Sequence, residues 1–347
     1  MKIGNYVLRN NGRPFIVAEA GINHGGIHRR ALEMIHAAKE AGCDAIKYQS
    51  FRAEEFCTPG QNITYRSQGE EITEPMIDLF KRHELPDYVW QEIKTECERV
   101  GIVYLSTPMG KESLALLVSD GIDAIKVTSS DLTNIGLLHA MANTALPIII
   151  STGMAESGEI YSALLAAGAA KVDAQVVAAV CTSEYPTAAA NANIRRLCTL
   201  RNSLFEWGMN SVRIGLSDHT VGNEAAVLAV AYGACYFEKH FTPWHGHEGP
   251  DHHFSANPEQ LRSWVNAIRT AHEMVGSGKL EPTESELRNR VEWRKAIVAA
   301  EPIRKGEQFI RDKLTVKRVK GGGKDPSGLQ LMSEWIADRD YAKDEPL

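Results

Sequence analysis

Eight short apolar, β-branched segments recur along the chain, and each is followed by a helix-like pattern. They are FIVAEA (15–20), AIKYQSF (45–51), IVYLSTP (102–108), AIKVTSSD (124–131), PIIISTG (147–153), VVAAVCTSEYP (176–186), VRIGLSDHT (212–220) and YFEKHFT (236–242). Strands that are apolar throughout and alternate with helices predict a parallel sheet covered by helices. Eight such units within about 240 residues predict a (β/α)8 TIM barrel. The alternative, an open doubly wound sheet, would be expected to carry G-x-G-x-x-G after its first strand, which is absent here.

The predicted catalytic barrel covers residues 1–276, and the rest of the chain differs from it. A polar linker, 277–290, leads to residues 291–347, whose short β-like pieces and Lys-Gly and Gly-Gly turns predict a small, separate, β-rich domain. Residues 52–84 are a long polar insertion after the second strand, which is typical of a lid or of part of the site. Before the barrel, Asn11-Gly12 predicts the turn of a hairpin.

Charge and cysteine usage restrict the partners and the compartment. The 347 residues carry a formal net charge of −6, which argues against a nucleic acid or an anionic membrane as partner. An anionic substrate would therefore need a locally basic pocket. The chain has no signal-like start and no apolar run of transmembrane length. Its six cysteines form no C-x-x-C pair, so we expect reduced thiols in a cytoplasmic protein.

Polar residues stand where the predicted strands end, which is where barrels of this type carry their chemistry. Those on or just after strand ends include Glu19, Lys47, Gln49, Thr107, Lys126, Ser129, Ser151, Ser183, Tyr185, Ser217, His219, Glu238 and His240. A single Ser or Lys at such a position would indicate only a helix cap or a solvated charge. Lys47 and Lys126, however, share an apolar Ala-Ile-Lys context in which an unpaired ammonium is costly to bury. Two such lysines among hydroxyl groups predict a site for a small phosphorylated anion.

Six of the twelve histidines lie between His219 and His253. His219 and His240 end adjacent strands with their side chains predicted to point inward, so their imidazoles can meet at one ion. Two imidazoles without a third strong ligand leave open coordination positions, which favours a Lewis-acid site over a closed structural zinc. A hydrogen-bonded histidine pair without metal is the alternative. The remaining four lie in a loop rich in Gly and Pro and are predicted to be mostly solvated: His245, His247, His252 and His253.

The motifs FIVAEAGINHGG, AIKYQSF, LSTP, IKVTSSD, STGM, CTSEYPT, GLSDHT, EKHFT and GPDHHFS, in this order, resemble the N-acetylneuraminate (sialic acid) synthase family. RKAIVAAEPIRKGE and KLTVKRVKGGGKDP resemble the small C-terminal antifreeze-like (SAF) domain of that family, so the likeness covers nearly the whole chain. The family also includes legionaminate, pseudaminate and spore-coat polysaccharide synthases. Its members condense phosphoenolpyruvate with an N-acylated hexosamine, often N-acetylmannosamine, and release phosphate and a 3-deoxy nine-carbon 2-ulosonic acid.

The resemblance implies a role for each matching position. Around phosphoenolpyruvate it places Lys47, Thr107, Lys126, Ser129, Ser151, Ser183 and Ser217. It assigns a divalent ion, commonly manganese with magnesium or cobalt as alternatives, to His219 and His240. Facing the sugar it places Glu19, Gln49, Tyr185 and Asp251, with Glu19 a candidate for proton transfer. It further implies a domain-swapped homodimer in which Arg318 reaches the sugar site of the other subunit.

Three departures from the family pattern leave the acyl-sugar open. Ser183 stands where sialic acid synthases commonly have Asn, and Asp131 stands where they commonly have Glu. The usual K-R-P-G-x-G turn is replaced by Lys317-Arg318-Val319-Lys320-Gly321-Gly322. The CTSEYP form is closer to the legionaminate-type and spore-coat members.

Three other functions fit parts of the pattern. A Schiff-base aldolase or lyase acting on keto-sugars would use a strand-end lysine and no metal. A non-catalytic glycan-binding protein would use the C-terminal domain but has no need of two lysines beside a histidine pair. A metal-dependent amidohydrolase usually carries H-x-H on its first strand, where this chain has Ala18-Glu19.

Overall fold

The computed structural model describes residues 1–330 and 334–347, which divide into two compact units, Met1–Gly276 and Ser277–Leu347. The strands of the first unit are β1 (Lys2–Ile3), β2 (Tyr6–Val7), β3 (Phe15–Gly21), β4 (Ala45–Ser50), β5 (Asn62–Ser67), β6 (Glu70–Pro75), β7 (Val103–Pro108), β8 (Ala124–Val127), β9 (Ile148–Ser151), β10 (Val176–Cys181), β11 (Arg213–Asp218) and β12 (Tyr236–His240). Its helices are α1 (His28–Glu40), α2 (Ala53–Phe56), α3 (Met76–His83), α4 (Asp87–Val100), α5 (Lys111–Ser119), α6 (Ile135–Ala142), α7 (Ser157–Ala166), α8 (Arg196–Glu206), α9 (Glu224–Ala231) and α10 (Pro258–Val275).

Strands β3, β4 and β7 to β12 form a closed barrel of eight parallel strands. Each strand pairs with the next along the chain, and β12 closes the barrel by pairing with β3. Nearly every residue of these strands is buried, because helices cover their outer face and the opposite strands cover the inner one. The predicted (β/α)8 barrel is thus confirmed.

The two faces of the barrel strands differ in chemistry. Outward-facing residues such as Ile46, Ile125 and Ile150 pack with the helices in one large apolar cluster. Inward-facing residues at the beginnings of the strands, such as Phe15 and Leu105, form a second apolar cluster that fills the lower half of the barrel. Further along the same strands the inward-facing residues become polar and remain buried. The upper half of the barrel interior is therefore a polar chamber, and its floor lies where the inward-facing residues change from apolar to polar.

An N-terminal hairpin closes the lower end of the barrel. It consists of β1 and β2, and Ile3 and Leu8 join the inner apolar cluster. The hairpin was predicted, but its turn was placed wrongly at Asn11-Gly12. The turn lies at Gly4-Asn5, where Gly4 takes a positive φ of 53° that suits glycine.

The predicted insertion after β4 forms a small substructure beside the barrel mouth. It contains α2, the antiparallel hairpin of β5 and β6, and α3. The Glu55 side chain accepts hydrogen bonds from the backbone of Glu112 and from Ser113 at the start of α5, which holds the insertion to the barrel. Phe51, Phe56 and Phe80 pack edge to face beneath it.

The second unit contains α11 (Glu284–Trp293), β13 (Lys295–Ala299) and β14 (Leu314–Arg318). β13 and β14 pair antiparallel over a small core that includes Ile297, Phe309 and Tyr341. Helix α11 begins at Glu284, inside the segment 277–290 that was predicted as a polar linker, behind a capping box formed by Thr283 and Glu286. Among the described residues of both units, no helix is long and apolar enough to cross a membrane.

Candidate active site

Two lysines and two glutamates form a buried charged cluster on the floor of the chamber. The ammonium of Lys47 lies 2.6 Å from Glu19 Oε2 and 3.6 Å from Glu238 Oε1. Lys126 lies 3.7 Å from the same Glu238 oxygen. The four residues stand on β3, β4, β8 and β12, at inward positions of their strands. Each lysine predicted to face an anion therefore already has a carboxylate partner, and the four formal charges sum to zero.

Burial and these ion pairs set the protonation of the two carboxyls in opposite directions. Burial raises the pKa of Glu19 to about 7, although Lys47 opposes the change. Burial acts in the same direction on Glu238, but Lys126 and Lys47 outweigh it and hold its pKa at about 2. Burial also lowers the pKa of Lys126, while Glu238 works against this. At neutral pH Glu238 is therefore the fixed counter-charge, and Glu19 is the carboxyl that can exchange a proton.

Hydroxyl groups surround the two ammonium groups. Lys47 donates to Thr107 Oγ1 over 3.2 Å, and Lys126 donates to Ser151 Oγ over 2.7 Å. Ser129 Oγ accepts from the backbone N–H of Gly153 over 3.0 Å, and Ser183 Oγ lies buried without a partner next to the same glycine. A methyl group at Gly153 would collide with both serine hydroxyls, so glycine leaves this space to them.

The imidazoles of His219 and His240 lie side by side above the cluster, with ring centroids 5.5 Å apart. Nδ1 of His219 donates to the carbonyl oxygen of Thr182 over 2.8 Å, so the lone pair of Nε2 is free to bind a ligand. Nδ1 of His240 is buried without a hydrogen-bond partner, and burial holds the pKa of this imidazole well below its ordinary value. Within the described ranges no group of three or more His, Cys, Asp and Glu side chains could hold a metal. His219, with its free Nε2, and His240, with its unpartnered Nδ1, fit a divalent ion held by two imidazoles.

Three of the predicted sugar-facing residues, Gln49, Tyr185 and Asp251, lie at the rim of the chamber, and Glu19 belongs to the charged cluster on its floor. A methyl group at Gly21 would be 3.3 Å from Glu19 Oε1, 3.4 Å from Asp251 Oδ2 and 3.6 Å from His240, so these three groups face one space. Gln49 donates to Glu19 Oε1 over 3.4 Å. The Tyr185 ring stacks at a tilt over His219, with centroids 4.2 Å apart.

A cavity of about 480 Å³ opens above this rim. Its polar lining includes Gln49, Tyr185, His240 and Asp251. Its apolar lining comes mainly from the insertion and the loop after β12: Ile22, Ile63, Leu79, Phe80 and Phe254. The insertion also lines the cavity with Thr64, Tyr65, Arg66 and Glu71, so the cavity can bind hydroxyl groups and offers apolar surface to other substituents.

Some predicted residues lie elsewhere or in other surroundings. Ser217 donates to Glu238 over 3.2 Å from the neighbouring strand and so contacts the cluster through its carboxylate. Arg318 is the exposed last residue of β14 in the second unit, and its predicted contact with another subunit stays a prediction. Among the loop histidines, His252 is buried and bonded through Nδ1 to Thr242, so the expectation of a solvated loop is wrong for this residue.

Two site residues were not assigned a role from the sequence. Glu238 was recognised only as a polar strand end, although its inward parity with His240 was a usable signal. Cys181 ends β10 with its sulfur 3.9 Å from His219 Nδ1. Burial would raise the pKa of its thiol, but His219 lowers it to about 7. All six cysteines are free, and only the fold shows that Cys181 lies beside the histidine pair.

Comparison with known proteins identifies the family of the chain. A family model described as the NeuB family matches residues 34–280. The chain is 33% identical over 320 residues to the N,N'-diacetyllegionaminic acid synthase of Legionella pneumophila, which covers 91% of this chain and 88% of that one. It is 33% identical over 328 residues to a pseudaminic acid synthase of Campylobacter jejuni, covering 92% and 90%. The crystal structure of the N-acetylneuraminic acid synthetase of Leptospira borgpetersenii in complex with citrate superimposes with a TM-score of 0.73 at 33% identity, covering 84% of this chain and 95% of that one. The chain therefore belongs to the NeuB family.

Proposed function

We propose that the chain condenses phosphoenolpyruvate with the open-chain form of an N-acyl hexosamine, giving a 3-deoxy nine-carbon 2-ulosonic acid and phosphate. The observation that carries this proposal is the buried cluster of Lys47 and Lys126 directly below the histidine pair. An anion site and an electrophile site in one chamber are what a carbon–carbon condensation of this kind requires.

Lys47 and Lys126 bind the phosphate and carboxylate groups of phosphoenolpyruvate. Their positions are fixed before the substrate arrives by Glu238, Thr107 and Ser151. A preorganised cationic pocket stabilises charge throughout the reaction because it need not rearrange. Ser129 and Ser183, which flank Gly153, are placed to donate to the remaining anionic oxygens.

His219 and His240 would hold the divalent ion, which we propose to be manganese, with magnesium or cobalt as alternatives. When bound, this ion supplies Lewis-acid polarisation of the aldehyde. Asp251 and Gln49 orient the sugar beside the histidines through its hydroxyl groups. The methylene carbon of phosphoenolpyruvate attacks the aldehyde carbon, water adds to the resulting cationic centre, and cleavage of a carbon–oxygen bond releases phosphate.

Glu19 is the proposed proton-transfer group. With a pKa of about 7 it is present in both forms at neutral pH. Its protonated form can deliver a proton to the aldehyde oxygen as the new carbon–carbon bond forms. Its ionised form can then accept a proton from the attacking water.

A second acceptor class is favoured by the apolar residues that line part of the cavity. A hexosamine that carries a second acylamino group would place it against Ile63, Leu79 and Phe80 more favourably than a hydroxyl group. We therefore propose N-acetylmannosamine and diacylamino hexoses as the two candidate acceptors.

The test is release of inorganic phosphate from phosphoenolpyruvate and manganese with a panel of such hexosamines. Release that depends on the sugar, stops with a chelator and returns with manganese supports the proposal. A Schiff-base aldolase would instead give an irreversible pyruvate adduct with borohydride, visible as a mass increase. That adduct on Lys126, with no sugar-dependent phosphate release, would refute the proposed function.

The C-terminal unit completes the proposal. We propose that Ser277–Leu347 contains an SAF domain and that Arg318 serves the sugar site of a second subunit in a cytoplasmic homodimer. Arg318 ends a strand beside Lys317 and Lys320, so the tip of this unit is cationic. In this arrangement the exposed guanidinium of Arg318 binds the oxygens of the sugar.

A further inference from the structure

Behind the two histidines lies a buried ion pair that the proposed reaction does not use. Asp218 and Lys239 are direct neighbours in the register of β11 and β12, and each immediately precedes a histidine, His219 or His240. Lys239 Nζ lies 2.9 Å from Asp218 Oδ2, and the two residues are only 2% and 6% exposed. Both side chains face the helices rather than the chamber, because side chains alternate along a strand.

The carboxylate of Asp218 has no unsatisfied oxygen. The indole N–H of Trp264, on α10, donates to Oδ2 over 3.0 Å. The backbone N–H and the hydroxyl of Thr220 donate to Oδ1 over 2.9 and 2.7 Å. Lys239 in turn donates to the carbonyl oxygen of Thr220. Asp218 and Thr220, which flank His219, are therefore both hydrogen-bonded to Lys239, which precedes His240.

An ion pair at this place needs an explanation other than stability. Among the eight barrel strands, all of which the structure describes, Asp218 and Lys239 carry the only charges that face the helix layer. A buried ion pair is often no more stable than apolar residues of similar volume, because both charges lose their hydration. What apolar residues would not supply is directional bonding to the backbone on either side of His219.

We propose that Asp218, Lys239 and Trp264 are positioning residues that hold His219 and His240 at the spacing a shared ion requires. Neither histidine has a carboxylate within hydrogen-bonding distance of its ring to orient it: His219 bonds to a backbone carbonyl, and His240 Nδ1 is 3.8 Å from Asp251. Their orientation therefore depends on the backbone at the strand ends, and Asp218 and Lys239 fix that backbone. This inference rests on the proposed metal site.

The decisive variant replaces both charges at once, Asp218→Leu with Lys239→Met, because removing one alone leaves an unpaired buried charge that destabilises the fold. We expect a moderate loss of thermal stability, because the donors on Trp264 and Thr220 lose their acceptor. We also expect a 10- to 100-fold weaker affinity for Mn²⁺, the range seen when groups supporting metal ligands are removed. Binding of Mn²⁺ to the metal-free protein is measured by loss of the EPR signal of the free ion. Trp264→Phe, which removes one donor and replaces the indole with a smaller aromatic ring, should give a smaller loss of Mn²⁺ affinity.

Two controls separate a positioning role from a structural one. Asp44→Asn removes a carboxylate that pairs with Arg269 and Arg13, away from the strand ends, and should lower stability without changing Mn²⁺ affinity. The KM for phosphoenolpyruvate should stay unchanged in the double variant at saturating Mn²⁺, since Lys47 and Lys126 are not altered. If the double variant binds Mn²⁺ as tightly as wild type while His219→Ala does not, the positioning role is refuted. If His219→Ala itself binds as tightly as wild type, the metal site is refuted, and the positioning role with it.

Discussion

Glu238→Gln tests whether the charged cluster is built to receive an anion. Lys126 and Lys47 hold the pKa of Glu238 below the ordinary value of a glutamate, and removing one partner of a buried ion pair costs about 3 kcal/mol or more. A neutral amide at this position leaves two buried ammonium groups with the single carboxylate of Glu19. We therefore expect the variant to unfold about 6 °C below wild type, at about 2 °C per kcal/mol for a unit of this size.

The same substitution should strengthen binding of the substrate's anionic groups. Glu238 lies 3.6 and 3.7 Å from the two ammonium groups and so competes with any incoming phosphate or carboxylate. Without this competitor, phosphoenolpyruvate should raise the melting temperature of the variant by more than it raises that of wild type. Differential scanning fluorimetry with and without phosphoenolpyruvate measures both effects. Glu33→Gln, on the exposed face of α1, serves as the control and should change neither. If phosphoenolpyruvate raises the melting temperature of Glu238→Gln by no more than it raises that of wild type, the view that these lysines form the anion site is refuted.

Three further perturbations follow from the geometry. Lys126→Ala should raise the KM for phosphoenolpyruvate by roughly 10- to 150-fold, which is the effect of one lost charge-assisted hydrogen bond. Its circular dichroism spectrum should stay near-native. Unchanged KM and kcat would contradict the assignment of Lys126 to the anion site. His219→Ala and His240→Ala should abolish Mn²⁺-dependent phosphate release, whereas His245→Ala, on the exposed loop and outside the cavity lining, should keep most of it. Equal losses of phosphate release in all three variants would show that the site is misplaced. Mixing Arg318→Ala with His219→Ala subunits should restore activity, because each heterodimer then contains one complete site. If the subunits exchange and the mixture is still as inactive as the two parents, the cross-subunit contact is excluded.

Periodicity was sufficient to predict the barrel. Each of its strands is a nearly uninterrupted apolar run, and burial on both faces is the physical cause of that pattern. The apolar Ala-Ile-Lys context was sufficient to predict that Lys47 and Lys126 lie inside the barrel, because an ammonium within an apolar strand is buried with it. Local signals were less reliable. Asn11-Gly12 has the residue types of a hairpin turn, yet the short strands pair around Gly4, where Ile3 and Leu8 reach the inner apolar cluster.

Other features depend on contacts between distant segments and have no local signal. The partners of Lys47 come from β3 and β12, which are far apart in the chain and adjacent only because the barrel closes. Helix α11 has almost no apolar face, so its sequence suggested a linker, and its capping box is the main local support for a helix. His252 belongs to a loop of polar composition but is buried through its bond to Thr242.

Charge balance in the chamber links substrate binding to the proton that the reaction needs. Lys47 and Lys126 are matched by Glu238 and by the ionised form of Glu19, so phosphoenolpyruvate brings an excess of negative charge into a buried space. The group that can relieve this excess is Glu19, whose pKa of about 7 should rise further when the anion binds beside it. Binding at pH 7 should therefore take up about half a proton per site, and that proton is then in place for the aldehyde oxygen.

Because the folded pKa of Glu19 lies above the ordinary value of 4.5, its contribution to stability is complete below about pH 4.5 and is lost as the pH rises through 7. Glu19→Gln should remove that part of the pH dependence of the melting temperature and also the proton uptake. Titration calorimetry in two buffers of different ionisation enthalpy measures the uptake, and the difference between wild type and Glu19→Gln cancels any protonation of phosphoenolpyruvate itself. Equal uptake in both proteins would show that the proton does not reside on Glu19, and the proton-transfer role proposed for this residue would then fail.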